Sequence, residues 1–136
     1  MKNLKSFKYF KESVFVTKDE VDELLDKISD SGITSLSDIE RNRLTLFSED
    51  DKEIIKIIEE MGDITKEFIE VNNKISKLMS EHKDEEARSF MDQWDSLDKK
   101  MTVLENSFKK WGIELGDERL SNLIRKIRPD VYNKEV

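Results

Sequence analysis

The one histidine of the chain, His82, sits in the run Glu81-His82-Lys83-Asp84-Glu85-Glu86. An imidazole among carboxylates could hold a cation. A metal site needs ligands that converge, however, and acidic residues around a helix turn are ordinarily solvated charges. Nothing places a serine and a buried carboxylate against His82, so a Ser-His-Asp triad has no local support. With no cysteine there is no thiolate nucleophile, no cysteine metal site and no disulfide framework. No Gly-rich phosphate loop, zinc spacing or calcium loop occurs. A carboxylate pair could still act as acid and base, since such a pair is set by three-dimensional spacing. The carboxylates nevertheless fall opposite the apolar seams described below, where water is their expected partner. The reading is of a non-enzyme with no catalytic residues, no cofactor and no metal.

Two basic groups are candidates for binding. Lys2, Lys5, Lys8 and Lys11 recur every third residue, interleaved with Leu4, Phe7, Tyr9 and Phe10. Leu4, Phe7, Lys8, Phe10 and Lys11 are the candidate partner-binding residues of this basic-aromatic arm. The alternative is an arm that folds back, aromatics in the core and lysines in water. Arg119, Arg125, Lys126 and Arg128 make the other end basic and are candidate anion-binding residues. A basic last turn also simply complements the helix dipole.

Charged residues make up 40% of the 136-residue chain and hydrophobic ones 36%, with one Pro and four Gly. Few breakers, many charges and a helical period suit an extended helical protein of one domain. The formal net charge of −7 disfavours nucleic acid and anionic lipid. No run of about twenty apolar residues exists to cross a membrane, and the lysines of the first residues precede no apolar run long enough for a signal peptide. The expected location is cytoplasmic.

The elements that must position these groups are helices. Steps of three and four select Ile54, Ile57, Met61, Ile64, Phe68, Val71, Ile75 and Leu78, then Ala87, Phe90, Trp94, Leu97, Met101, Leu104, Phe108 and Trp111. Each set is a seam of about four heptads. The first register lands on polar residues past His82, so the chain must reverse near residues 80–84. This predicts an antiparallel hairpin over 49–111, its helices at about 50–80 and 84–111. Ser48 or Asp50 is the expected cap. Heptad phase is kept across Gly62, which favours an unbroken helix over a break with Asp63 as a new cap. A reversal centred between His82 and Lys83 pairs Ile75 with Phe90, Val71 with Trp94, Phe68 with Leu97 and Ile64 with Met101. Rings then oppose aliphatic side chains. The aromatic seam is more than two helices can cover, so either the remaining helices or a second copy of the chain must cover it.

Residues 1–16 read as the arm, with Val14-Phe15-Val16 an extended connector. Residues 17–48 read as a two-helix module, helical over about 18–48. Thr17 and Glu20 form one expected capping box, Ser37 and Glu40 another. Val21, Leu24, Leu25 and Ile28 share a face, and Ser31-Gly32 closes the first helix. Ile33 and Leu36 anchor the turn. Ile39, Leu44 and Phe47 face inward from the second helix, with Leu46 partly exposed. A last helix over 117–128, its core at about 117–127, presents Leu120, Leu123, Ile124 and Ile127. Pro129 ends it, and 130–136 is a polar tail. The fold class is therefore all-α: a helical bundle built on a long hairpin.

The stretch Leu24 to Leu44, LLDKISDSGITSLSDIERNRL, resembles the small two-helix module that follows the membrane domain of some bacterial rhomboid-family proteins, and occurs in short bacterial and phage proteins. The likeness rests on Leu25-Asp26-Lys27-Ile28-Ser29, Gly32-Ile33, Ser35-Leu36 and Glu40, about a quarter of the chain. It implies the helix-Gly-turn-helix shape and carries no chemistry, because that module has none assigned and the protease domain is not in this chain. Short Lys-and-Phe leaders like residues 1–13 resemble those of tailed-phage proteins, which implies a phage-type origin and a place in host cytoplasm or virion.

The functional expectation is a structural or protein–protein interaction protein working through helix faces and the arm, its partner another protein or a second copy. The alternative is a nucleic-acid or anionic-surface binder using the arm and the Arg125–Arg128 end. Under that alternative the second helix of the module would offer Arg41, Asn42 and Arg43 as a reading helix.

Overall fold

Helix starts follow from capping chemistry. Thr17, in an extended conformation, accepts the Glu20 N–H and opens α1, Lys18–Ser31. Ser37 and Glu40 exchange side-chain and backbone hydrogen bonds in a full capping box and open α2, Asp38–Ser48. Between them Gly32, at φ 86°, closes α1 and leads into a 3-10 turn, Ile33–Ser35. The remaining helices are α3 Lys52–Ser80, α4 Asp84–Ser107, α5 Glu118–Ile127 and α6 Pro129–Tyr132, with a second 3-10 turn at Phe108–Trp111. These elements belong to a computed structural model in which residues 13–132 are described. No strand occurs among the described residues, and the fold is an all-α helical bundle. No helix among them is long and apolar enough to cross a membrane.

The chain divides into two compact units, Met1–Lys56 with Phe108–Asn122, and Ile57–Ser107 with Leu123–Val136. The first unit buries Phe15, Val16, Leu24, Leu36, Leu46, Ile54, Phe108, Trp111, Ile113 and Leu120. Several expectations change here. Val14-Phe15-Val16 is a connector that packs inward: Phe15 and Val16 are fully buried while Val14 stays exposed. Leu25 and Ile33 face water and Leu46 is buried, the reverse of the sequence reading. Ile39, expected to face inward, is also exposed, whereas Arg43, three residues before buried Leu46, turns its guanidinium inward to Trp111 C=O and Phe15 C=O. Glu20 also leaves its predicted capping box, and its carboxylate pairs with Arg43 instead.

The entry to α3 differs as well. Neither Ser48 nor Asp50 is its cap: the helix begins at Lys52, and Asp50 and Asp51 precede it at φ 56° and 63°. Two successive left-handed residues form a tight bend that ends α2 and starts α3 within three residues.

The second unit is the hairpin with the C-terminal segment. α3 runs unbroken through Gly62. It ends in a Schellman arrangement: Lys83 N–H donates to Leu78 C=O at 2.8 Å and His82 N–H to Met79 C=O at 3.1 Å. His82 takes the left-handed position at φ 63°, where glycine is commoner. Ile64, Val71 and Leu97 are buried, and Phe68, Ile75, Phe90, Trp94, Met101 and Leu104 pack around them, half-covered. The reversal is where the seams place it. The rings do not only meet aliphatic residues, however: Phe68 and Trp94 touch edge to face, centroids 5.4 Å apart. Such a contact contributes about 0.5–1.5 kcal/mol beyond area burial.

The predicted polar tail is also corrected. Pro129 cannot continue α5 but suits the first turn of a new helix. α6 buries Val131, and the Tyr132 hydroxyl meets the Thr65 hydroxyl at 2.7 Å. The residues from 133 onward lie outside the described part.

Candidate functional site

The arm candidates Leu4, Phe7, Lys8, Phe10 and Lys11 lie outside the described residues. The first described feature is a clasp at Ser13. Its hydroxyl donates to Asp51, and Val14 N–H donates to the other Asp51 oxygen at 2.7 Å. Ser13 Oγ in turn accepts Phe15 N–H and Val16 N–H, both at 3.1 Å. Asp51 is buried, and burial pushes its pKa up against the lowering pull of these two donors. Neighbouring Asp50 has a buried carboxylate oxygen, Oδ1, with no hydrogen-bond partner among the described residues. The clasp is an anchor: it ties the start of the described chain to the start of α3.

The basic candidates are placed as follows. Arg119 is in the first unit, where it pairs with Asp117 at 2.8 Å, donates to Phe15 C=O at 3.2 Å and lies over the Phe15 ring. Asp117 is held below the usual carboxylate range by this guanidinium, and Arg119 is raised in turn. Arg128 is in the second unit, its side chain only 13% exposed. It donates to Glu59 C=O at 2.8 Å, to Asp63 at 2.9 Å and to Asp130 at 3.1 Å. Asp130 also receives Lys66 at 2.7 Å, and Arg128 first, then Lys66, holds its carboxyl far below the ordinary range. Arg125 and Lys126 are exposed in the last turn of α5. Arg119 and Arg128 thus have carboxylates of the same chain as partners and act as staples.

Arg43 is the hub that sequence reasoning missed. Its guanidinium grips the Glu20 carboxylate, Trp111 C=O at 2.8 Å and Phe15 C=O at 2.8 Å. Three separate segments of the first unit meet on one planar donor group. Asn42 donates to Lys110 C=O at 3.0 Å, and Arg41 to Leu36 C=O at 2.8 Å and to Asp38. All three side chains of the supposed reading helix are therefore engaged inside the unit. A signal existed in the sequence: Arg43 falls three residues before Leu46 and four before Phe47, the spacing of one helix face.

His82 is exposed at the hairpin turn, and Lys83 pairs with Glu81 there. Among the described residues no group of three or more His, Asp or Glu side chains is arranged to hold a metal ion. One flank of the same end carries a shallow recess of about 190 Å³, lined by Ile75, Met79, Asp84, Ala87, Arg88 and Met91. Met79 and Met91 are 54% and 51% exposed, high for large apolar side chains. Ile69 and Val103 are also exposed on this hairpin.

Residues 11–50 match the model of a family of unknown function (DUF6576). The matched stretch holds Ser13, the α1-turn-α2 module and Asp50, and so the donor side of the clasp together with the Arg43–Glu20 pair. No curated protein and no solved structure matches the chain.

Proposed function

We propose that this protein works by contact, as a non-enzymatic structural or interaction protein whose helix faces dock on another protein chain. The observation that carries the reading is the hairpin's apolar flank, where exposed Met79 and Met91 line a recess with Ile75 and Ala87. Exposed apolar side chains grouped beside a recess are a usual mark of an interaction site, and methionine adapts to varied partner shapes. Leu25 and Ile33 give the first unit exposed apolar positions of its own. The internal pairing of Arg119 and Arg128 takes weight from the anionic-surface alternative. A phage-type origin, a place in host cytoplasm or virion, and kinship of residues 24–44 with the rhomboid-associated module belong to the same proposal. They rest on the leader and on that stretch.

The test is quantitative capture from the native host with wild type, Met79→Asp/Met91→Asp and Leu25→Asp/Ile33→Asp, each first checked for unchanged helicity. The expected result is a reproducible partner, the second copy included, lost on one pair of substitutions and kept on the other. Recovery of no specific partner by wild type, joined to a monomeric state, overturns the reading.

A further inference from the structure

We infer that the recess at the turn end of the hairpin is a self-association site, filled by the same flank of a second copy of this chain. The inference rests on the contact reading above and names its partner.

The argument starts from charge. Asp84 and Arg88 lie one turn apart on α4, both exposed, on the rim of the recess. Neither pairs with another described residue, although their spacing would allow it. One acid and one base a turn apart form a self-complementary pattern. A two-fold axis crossing α4 between them sets Asp84 of each copy opposite Arg88 of the other, with the two α4 helices antiparallel. Isologous contacts have this reciprocity by construction.

The apolar residues obey the same axis. Ala87 lies between the two charges and is already buried within the hairpin, so the surface offered to a second copy is made by its exposed neighbours. Exposed Met79 of α3 lines the same recess, and in this arrangement it meets Met79 of the second copy. Ile75 and Met91 flank this centre and are covered with it. Two hairpins joined in this way give four helices at the turn end, the usual number that closes a core of this kind. An acidic partner would find Arg88 but leave Asp84 facing a like charge. A basic one would meet Arg88 as a repulsive group. A second copy satisfies both signs.

Sedimentation equilibrium of the full chain tests this. Wild type should dimerise with concentration, and Met79→Asp/Met91→Asp should be monomeric with unchanged helicity. Arg88→Asp alone and Asp84→Arg alone should each weaken the dimer about tenfold or more, since each sets like charges opposite. The exchange Asp84→Arg/Arg88→Asp should restore most of the wild-type affinity. A wild type that stays monomeric, a dimer indifferent to Met79→Asp/Met91→Asp, or an exchange variant no tighter than the single variants overturns the inference. A monomer that captures a foreign host protein through Met79 and Met91 also overturns it, while leaving the contact reading standing.

Discussion

Gly62 shows how one residue is fixed by a neighbour far along the chain. An alanine within a helix is ordinarily worth about 1 kcal/mol over glycine. At Gly62 an added Cβ would come within 2.6, 2.7 and 2.8 Å of Nη1, Cζ and Cγ of Arg128. The side chain would have to lift, and would give up Glu59 C=O and Asp63. Hydrogen bonds from a charged donor contribute about 1.5–3 kcal/mol each, though Asp63 is exposed and its share is smaller. Gly62→Ala should therefore lower stability by about 1 kcal/mol net, whereas in an Arg128→Ala background it should raise it by about 1 kcal/mol. Urea denaturation of the four proteins closes this cycle. A stabilised Gly62→Ala in the otherwise native chain would show that Arg128 does not hold that groove.

At the scale of elements, the hairpin rests on its seam. Trp94 is half-covered and meets Phe68 edge on. Trp94→Asp removes that ring contact and sets a charge against Val71 and Leu97, and should cost about 3 kcal/mol or more. Trp94→Phe should keep most of the fold. Far-ultraviolet circular dichroism with thermal melts separates the two, and an aspartate variant melting with wild type would refute the seam. The hairpin was legible because period and phase are local: eight apolar residues in step define a stripe whatever lies elsewhere. Caps at Thr17 and Ser37 were legible for the same reason. The misread elements all depend on distant partners. Leu46 is buried against expectation on the helix whose Arg43 reaches Trp111, Phe15 and Glu20, partners distant in the chain. Residues 129–132 fold because Thr65 and the Arg128 staple receive them. Arg119 and Arg128 could be picked out as basic from sequence, but their carboxylate partners could not. The recess at the hairpin's turn end was invisible, since exposure of Met79 and Met91 depends on what the rest of the chain leaves uncovered.

At the scale of the whole molecule, the carboxylates set how stability responds to pH. Arg128, then Lys66, depresses Asp130, Arg119 depresses Asp117, and the Ser37 N–H, then Lys27, depresses Glu40. A carboxylate whose folded pKa is lowered stabilises the fold fully above the ordinary carboxylate range. That stabilisation fades as pH falls through the lower folded value. Asp51 acts in the opposite direction, because burial raises its pKa. The folded state then holds the Asp51 proton more tightly, so its contribution weakens the fold as pH climbs past about 4 and levels off above the raised value. Three depressed groups against one raised group predict a urea midpoint that drops once pH falls below about 4. Salt should shrink that drop, since Glu40, Asp117 and Asp130 sit near the surface. Asp130→Asn and Asp117→Asn should each flatten the acid limb. The stability advantage of wild type over Asp51→Asn should narrow from about pH 3 to about pH 7. An acid limb equally steep in Asp130→Asn would mean that the Arg128 staple leaves the folding equilibrium untouched. A gap to Asp51→Asn that widens with pH would mean that the donors at Ser13 and Val14 outweigh the burial of the carboxylate they meet.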